Sequence, residues 1–108
     1  MISHRFPKAA RISRSGEFEA IWKAGKRQRI GSLEARYEPG QRPQLGIAVD
    51  RRTGNAAVRN RLKRWIREHF RTHPDLFSQP WRLVLVVRRD MPRASLTRDF
   101  DRLWARCK

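Results

Sequence analysis

From Leu33 the chain alternates, with Leu33, Ala35 and Tyr37 apolar and Glu34 and Arg36 charged, the period of two that predicts a strand buried on one face. Ahead of it, Phe18, Ile21 and Trp22 recur at helical spacing between Ser15, read as an N-cap, and Gly25, read as a C-terminal stop. That pattern predicts a short amphipathic helix over about residues 16–24. Pro39-Gly40 and Pro43 mark a loop, after which Leu45 to Val49 reads as a second strand. Leu83 to Val87 is an unbroken apolar run, as expected of a central strand covered on both faces. Between these two strands lies a long helix. Asn55 is placed to cap it, and Val58, Leu62, Trp65, Ile66, His69 and Phe70 recur every three or four residues. From Ser95 onward Leu96, Phe100, Leu103, Trp104 and Cys107 follow the same rule and predict a last helix packed on the sheet. The pattern marks three strands of an expected sheet of about four, and predicts one α+β domain spanning residues 1–108, a compact sandwich with a short N-terminal helix, a long central helix and a C-terminal helix. A basic tail over about residues 1–14, without sustained period, would be ordered only by docking.

Charge changes this picture more than size does. The chain of 108 residues has 26 Lys plus Arg against 10 Asp plus Glu, a formal charge of +16. Such a surplus exceeds what solubility needs and opposes compaction by self-repulsion, so a polyanionic partner is expected. Most of the cations are Arg, whose planar fork suits phosphate oxygens and stacks on bases. Nucleic acid is therefore favoured over an anionic membrane surface. No apolar run approaches the length that spans a bilayer, and no apolar signal segment stands at the N-terminus. The single Cys107 excludes an intrachain disulfide and a multi-thiolate zinc site, which fits a reducing cytoplasm.

The basic residues concentrate on the long helix. Between Arg51 and Arg71 there are eight cations and one acid, Glu68. At about 100° per residue, Asn60, Lys63, Arg64, Arg67 and Arg71 fall opposite the apolar face, while Arg59 projects to the border of that face and should be partly shielded. A stripe of one sign forgoes the i,i+4 ion pairs that solvated helices usually make, which favours a binding surface over a merely solvated one. Phe18, Trp22 and Tyr37 on their own read equally well as core. His4, His69 and His73 show no pairing with metal ligands, and His69 on the apolar face reads as a hydrogen-bonded core imidazole. Asp50 and Asp90 each follow a predicted strand; were those strands adjacent and parallel, the two carboxylates could approach one Mg²⁺. A nucleic-acid-binding subunit, a stand-alone metal-dependent nuclease using Asp50 and Asp90, and a generic basic RNA-binding or ribosome-assembly protein all remain open on these grounds.

The run Gly54-Asn55-Ala56-Ala57-Val58-Arg59-Asn60-Arg61-Leu62-Lys63-Arg64-Trp65-Ile66-Arg67-Glu68 closely resembles the signature of the bacterial ribonuclease P protein component, whose core is Arg-Asn-Arg followed by Lys-Arg and Arg-Glu. Phe6-Pro7, Ser15 to Phe18, Leu45 to Val49, Leu83 to Val87 and Leu103-Trp104 extend the resemblance along most of the chain. The resemblance implies the basic protein of a ribonucleoprotein endonuclease whose RNA subunit removes the 5′ leader of precursor tRNA with Mg²⁺. It implies no catalytic side chain, no metal held by the protein, no required protein partner and no membrane. Arg59, Asn60, Arg61, Lys63, Arg64 and Arg67 match the RNA-facing motif, with Arg71 continuing the stripe. Phe18 and Trp22 match the aromatic positions of a cleft for the leader, with Arg36, Arg51 and Arg52 near its floor or mouth. Two departures stand out. Asp50-Arg51-Arg52 replaces a small residue and two lysines, and Arg36 stands where some members carry an aromatic. The resemblance also implies a left-handed strand-helix-strand crossover, against the general right-handed preference.

Overall fold

The structure is a computed structural model, and it describes residues 10–12 and 14–108. A helix α1 (Ser15–Ala24) leads into an antiparallel hairpin of β1 (Lys26–Ile30) and β2 (Leu33–Pro39). Strand β3 (Gln44–Val49), a short 3-10 turn (Arg51–Thr53), helix α2 (Ala56–Thr72), a second 3-10 turn (Pro74–Phe77), strand β4 (Trp81–Val87) and helix α3 (Arg93–Arg106) follow. The sheet order is β1-β2-β4-β3, with β2 antiparallel and β3 parallel to β4. The β3-α2-β4 crossover thus puts β4 at the centre and leaves β3 on an edge.

The period-two pattern sorts the two sheet faces. Leu33, Ala35 and Tyr37 of β2, Leu45 of β3, and Leu83, Leu85 and Val87 of β4 point to one side and are buried. They meet Leu62, Ile66 and Phe70 of α2 and Leu96, Phe100, Leu103 and Trp104 of α3. Phe77 joins this core, stacked on Phe70 and Phe100 with ring centroids 4.9 and 5.1 Å apart. On the other face Val84 packs with Ile12 and Ile21, flanked by the half-buried rings of Phe18 and Trp22. Asn55 caps α2 as expected, its Oδ1 accepting from the Val58 N–H at 3.0 Å. His69 is the hydrogen-bonded imidazole expected, with Nε2 2.7 Å from Asp101 Oδ1. Cys107 is buried, and desolvation pushes its thiol up to about 12, so it behaves as a small apolar side chain.

Four sequence expectations are corrected. Ser15 is the first residue of α1, not its cap; Arg14 occupies the cap position and makes no side-chain bond there. The basic segment 26–30, which the hydrophobic pattern passed over, is an edge strand. Helix α3 starts at Arg93, two residues before Ser95, because Pro92 fixes the preceding turn and its carbonyl accepts the Leu96 N–H at 3.0 Å. The last part of the tail is already docked: Arg11 bridges Leu45 in parallel, and the Ile12 N–H donates to Leu45 O at 3.0 Å. The rest of the tail, Phe6-Pro7 and His4 included, lies outside the described residues.

Candidate RNA interface

An edge strand presents unpaired backbone groups, and here Arg11 and Ile12 cover part of that rim. Between this segment, α1 and β3 opens a cavity of about 380 Å³, lined by Arg11, Ile12, Ser15, Phe18, Glu19, Leu45, Gly46, Ile47, Ala48 and Arg67. Its floor is made by the small residues of β3. A Cβ on Gly46 would stand 2.8 Å from Ile12 O and 3.2 Å from the Phe18 ring, so glycine lets the docked segment and the aromatic close in on the strand.

Arg67 is the cation that the helical wheel misplaced. Instead of standing outward on α2 it is half-buried and reaches round the β3 edge into this cavity, beside Arg11. Burial and the like charge of Arg11 hold its pKa below the ordinary arginine value. Two guanidinium groups thus share one partly enclosed space beside the Phe18 ring, with the Glu19 side chain also on its lining.

Other members of the expected stripe separate into distinct settings. Asn60 and Arg64 are exposed and Lys63 half-buried. Arg59 is half-buried and donates from Nη1 to Gly54 O at 2.9 Å, so the shielding read from its position holds, with the helix-entry turn as its partner. Arg61 is engaged by Asp90, Nη2 to Oδ1 2.8 Å, with its guanidinium carbon 5.0 Å above the Trp65 ring. Arg71 lines a separate apolar recess with Phe70, Pro74 and Phe77. Arg51 and Arg52 are exposed on the turn that follows β3.

The two aromatics of α1 are brought together but play different parts. Phe18 and Trp22 stack with centroids 6.4 Å apart, and only Phe18 lines the cavity. Trp22 lies instead against Arg36, whose guanidinium carbon is 4.8 Å from the ring centroid and whose Nη1 donates to Trp22 O at 2.9 Å. Arg36 is therefore a bracket for the aromatic, not a cation of the cavity floor. Tyr37 is core, at 3% exposure.

Behind Arg36 sits a hub the sequence did not announce. Glu34 is buried on the α1 side of the sheet, with Arg27 Nε at 3.2 Å, Arg88 Nη2 at 3.1 Å and Arg36 Nη2 at 3.6 Å. Burial alone would raise its pKa, but the Arg88 hydrogen bond and the fields of the three arginines outweigh it and leave the value lowered. A lowered folded-state value means the stabilisation is fully present above the unfolded-state pKa of about 4.3 and is lost as pH falls below that through the folded value. Thermal melts between pH 3 and 7, ranges chosen to bracket about 4.3, should accordingly show a flatter acid limb for Glu34→Gln than for the native chain. Parallel curves would mean that the hub contributes no net pairing energy.

Strands β3 and β4 are adjacent and parallel, as a joint metal site would need. The carboxylates nevertheless answer to cations: Asp50 accepts the Arg52 N–H at 2.9 Å and lies 3.8 Å from Arg88, while Asp90 holds Arg61. Among the described residues no three His, Cys, Asp or Glu side chains converge as a metal site.

The sequence matches the Ribonuclease P family over residues 6–108. The chain belongs to the ribonuclease P protein family. It is 37% identical over 90 residues to the ribonuclease P protein component of Desulfotalea psychrophila, covering 82% of this chain and 75% of that protein. With the Thermotoga maritima component it shares 29% over 104 residues, 94% of this chain and 85% of the relative. The solved RNase P protein of Staphylococcus aureus superposes with a TM-score of 0.81 at 26% identity, covering 91% of this chain and 94% of that one. That of Thermotoga maritima gives 0.76 at 27%, covering 84% and 91%. The ribonuclease P protein fold thus places the motif helix α2 beside the edge strand β3, and both border the cavity. Arg11, Gly46 and Ala48 of that cavity escaped the sequence reading. Gly46, a glycine inside an apolar strand, was the available sign of close backbone approach.

Proposed function

We propose that the chain is the protein subunit of a ribonuclease P ribonucleoprotein that binds the RNA subunit and the 5′ leader of precursor tRNA during Mg²⁺-dependent removal of that leader. The observation that carries the reading is the placement of Arg11 and Arg67 with Phe18 in one cavity at the β3 edge. Single-stranded RNA has no fixed groove to read, so sequence-tolerant recognition uses cations along its backbone and aromatic faces under its bases. The cavity supplies both, Trp22 on its Arg36 bracket extends the aromatic row, and Arg51 and Arg52 stand beyond the C-terminal end of β3. On α2, Asn60, Lys63 and Arg64 face outward to contact the RNA subunit, with Arg61 and Arg71 flanking them. Arg59 shapes the helix entry. In this assignment the side chains bind and orient, Mg²⁺ and the bond-breaking chemistry belong to the RNA subunit, and the complex works in the cytoplasm without a further protein.

Cleavage of precursor tRNA is measured with the protein alone, the RNA subunit alone, and both together. The protein alone should not cleave in Mg²⁺, and cleavage should appear when the RNA subunit is added. Cleavage by the protein alone that Asp50→Ala with Asp90→Ala abolishes would replace this reading with a metal-dependent nuclease. Without either activity, a generic basic RNA-binding protein would be favoured.

A further inference from the structure

Arg61 stands in the middle of the basic helix yet is already neutralised. Its Nη2 is 2.8 Å from Asp90 Oδ1, and its plane is set by Trp65 at 5.0 Å. Trp65 also meets Arg93, 5.9 Å from its centroid, and Arg93 in turn pairs with Glu68 at 3.1 Å. The α3-facing flank of α2 therefore carries two internal ion pairs around one indole, whereas Asn60, Lys63 and Arg64 have no such partner among the described residues. Asp90 lies in the short connection between β4 and α3, immediately before Met91 and Pro92. Both members of the pair are open to solvent, with 38% and 46% of their side chains exposed.

We propose that Asp90 is a built-in competitor for RNA at Arg61: binding of the RNA subunit exchanges the Asp90 carboxylate for a backbone phosphate on a guanidinium that Trp65 holds ready. The proposal rests on α2 being the RNA face. A half-exposed ion pair is weak, because water and salt screen it. A phosphate offers Arg two oxygens in the fork geometry the guanidinium favours, and its approach is opposed by the neighbouring carboxylate. Asp90 thus lowers affinity at this one contact and makes it less steeply dependent on salt than a free cation would be.

The test uses the full chain and the RNA subunit, with affinity measured across a series of salt concentrations and folding checked by circular dichroism. Asp90→Asn should tighten binding by about two- to fivefold and steepen the log-log salt slope by up to about 0.9. Asp75→Asn, an exposed acid on the turn after α2, controls for net charge and should change binding less. In an Arg61→Ala background the gain from Asp90→Asn should vanish. If Arg61→Ala weakens binding while Asp90→Asn gains no more than Asp75→Asn, the competitor role is wrong and the RNA face stands. If Arg61→Ala and Lys63→Ala are both silent, the RNA-face reading falls and the proposal falls with it.

Discussion

Gly25→Ala is expected to destabilise the chain by about 3 kcal/mol or more, the upper range for forcing atoms into a filled space. A Cβ at this position would lie 2.6 Å from Ile21 O and 2.9 Å from both the backbone N and O of Tyr37. All three obstacles are backbone, so no rotamer change relieves them. Tyr37 belongs to β2 at the sheet interior and Ile21 is the most deeply buried residue of α1, so relief requires sliding the helix away from the sheet. Gly16→Ala is the opposite case, in the same helix, with nothing within 4 Å. There the substitution should stabilise by about 0.4 to 1 kcal/mol through the unfolded chain. Thermal melts should therefore move in opposite directions, down by roughly 10 °C or more for Gly25→Ala. A Gly25→Ala melt equal to the native one would show that the α1–β2 contact yields freely.

Gly25 also shows what the sequence could and could not disclose. A glycine after an apolar helical run reads as a left-handed cap, and the helix does end there, but its φ is −72°. The residue is glycine because β2 passes too close for any side chain, a tertiary fact without a local signature. The missed strand β1 has the opposite lesson. Lys26, Arg27 and Arg29 are exposed because β1 is an edge, and edge strands tolerate charge, so hydrophobic period was the wrong detector. Its hairpin was legible: Ile30 and Leu33 pair across Gly31-Ser32, and Gly31 takes a φ of 54°, the glycine-first turn that two-residue hairpins favour. For the site, the wheel ranked residues by angle on an isolated cylinder. Arg67 and Arg64 look alike on it, yet α2 lies beside a sheet edge, and a long side chain on that flank turns into the cavity while Arg64 stays in solvent. Arg36 was placed near the cleft through the family resemblance, and only the packed Trp22 and Glu34 reveal that its charge is spent on positioning.

Phe18→Ala and Trp22→Ala should each weaken precursor tRNA binding by the assembled ribonucleoprotein far more than binding of mature tRNA. Stacking of one base on an aromatic is worth about 1 to 3 kcal/mol, or roughly five- to 150-fold in affinity. The contact exists only while the leader is attached. Phe18 should show the larger effect, since it lines the cavity that Arg11 and Arg67 share, whereas Trp22 lies beside it against Arg36. Arg67→Ala should behave like Phe18→Ala, not like Lys63→Ala: it should lower leader-dependent affinity and flatten its salt dependence by about 0.7, the single-strand value per phosphate. Lys63→Ala should instead weaken assembly with the RNA subunit, with no preference between the two substrates once assembled. Fluorescence-monitored titrations of matched tRNAs with and without a leader of several nucleotides, at fixed saturating RNA subunit, separate these cases. Should Arg67→Ala track Lys63→Ala and leave the leader difference intact, Arg67 would belong to the outward stripe after all, and the cavity at the β3 edge would not be the leader's path.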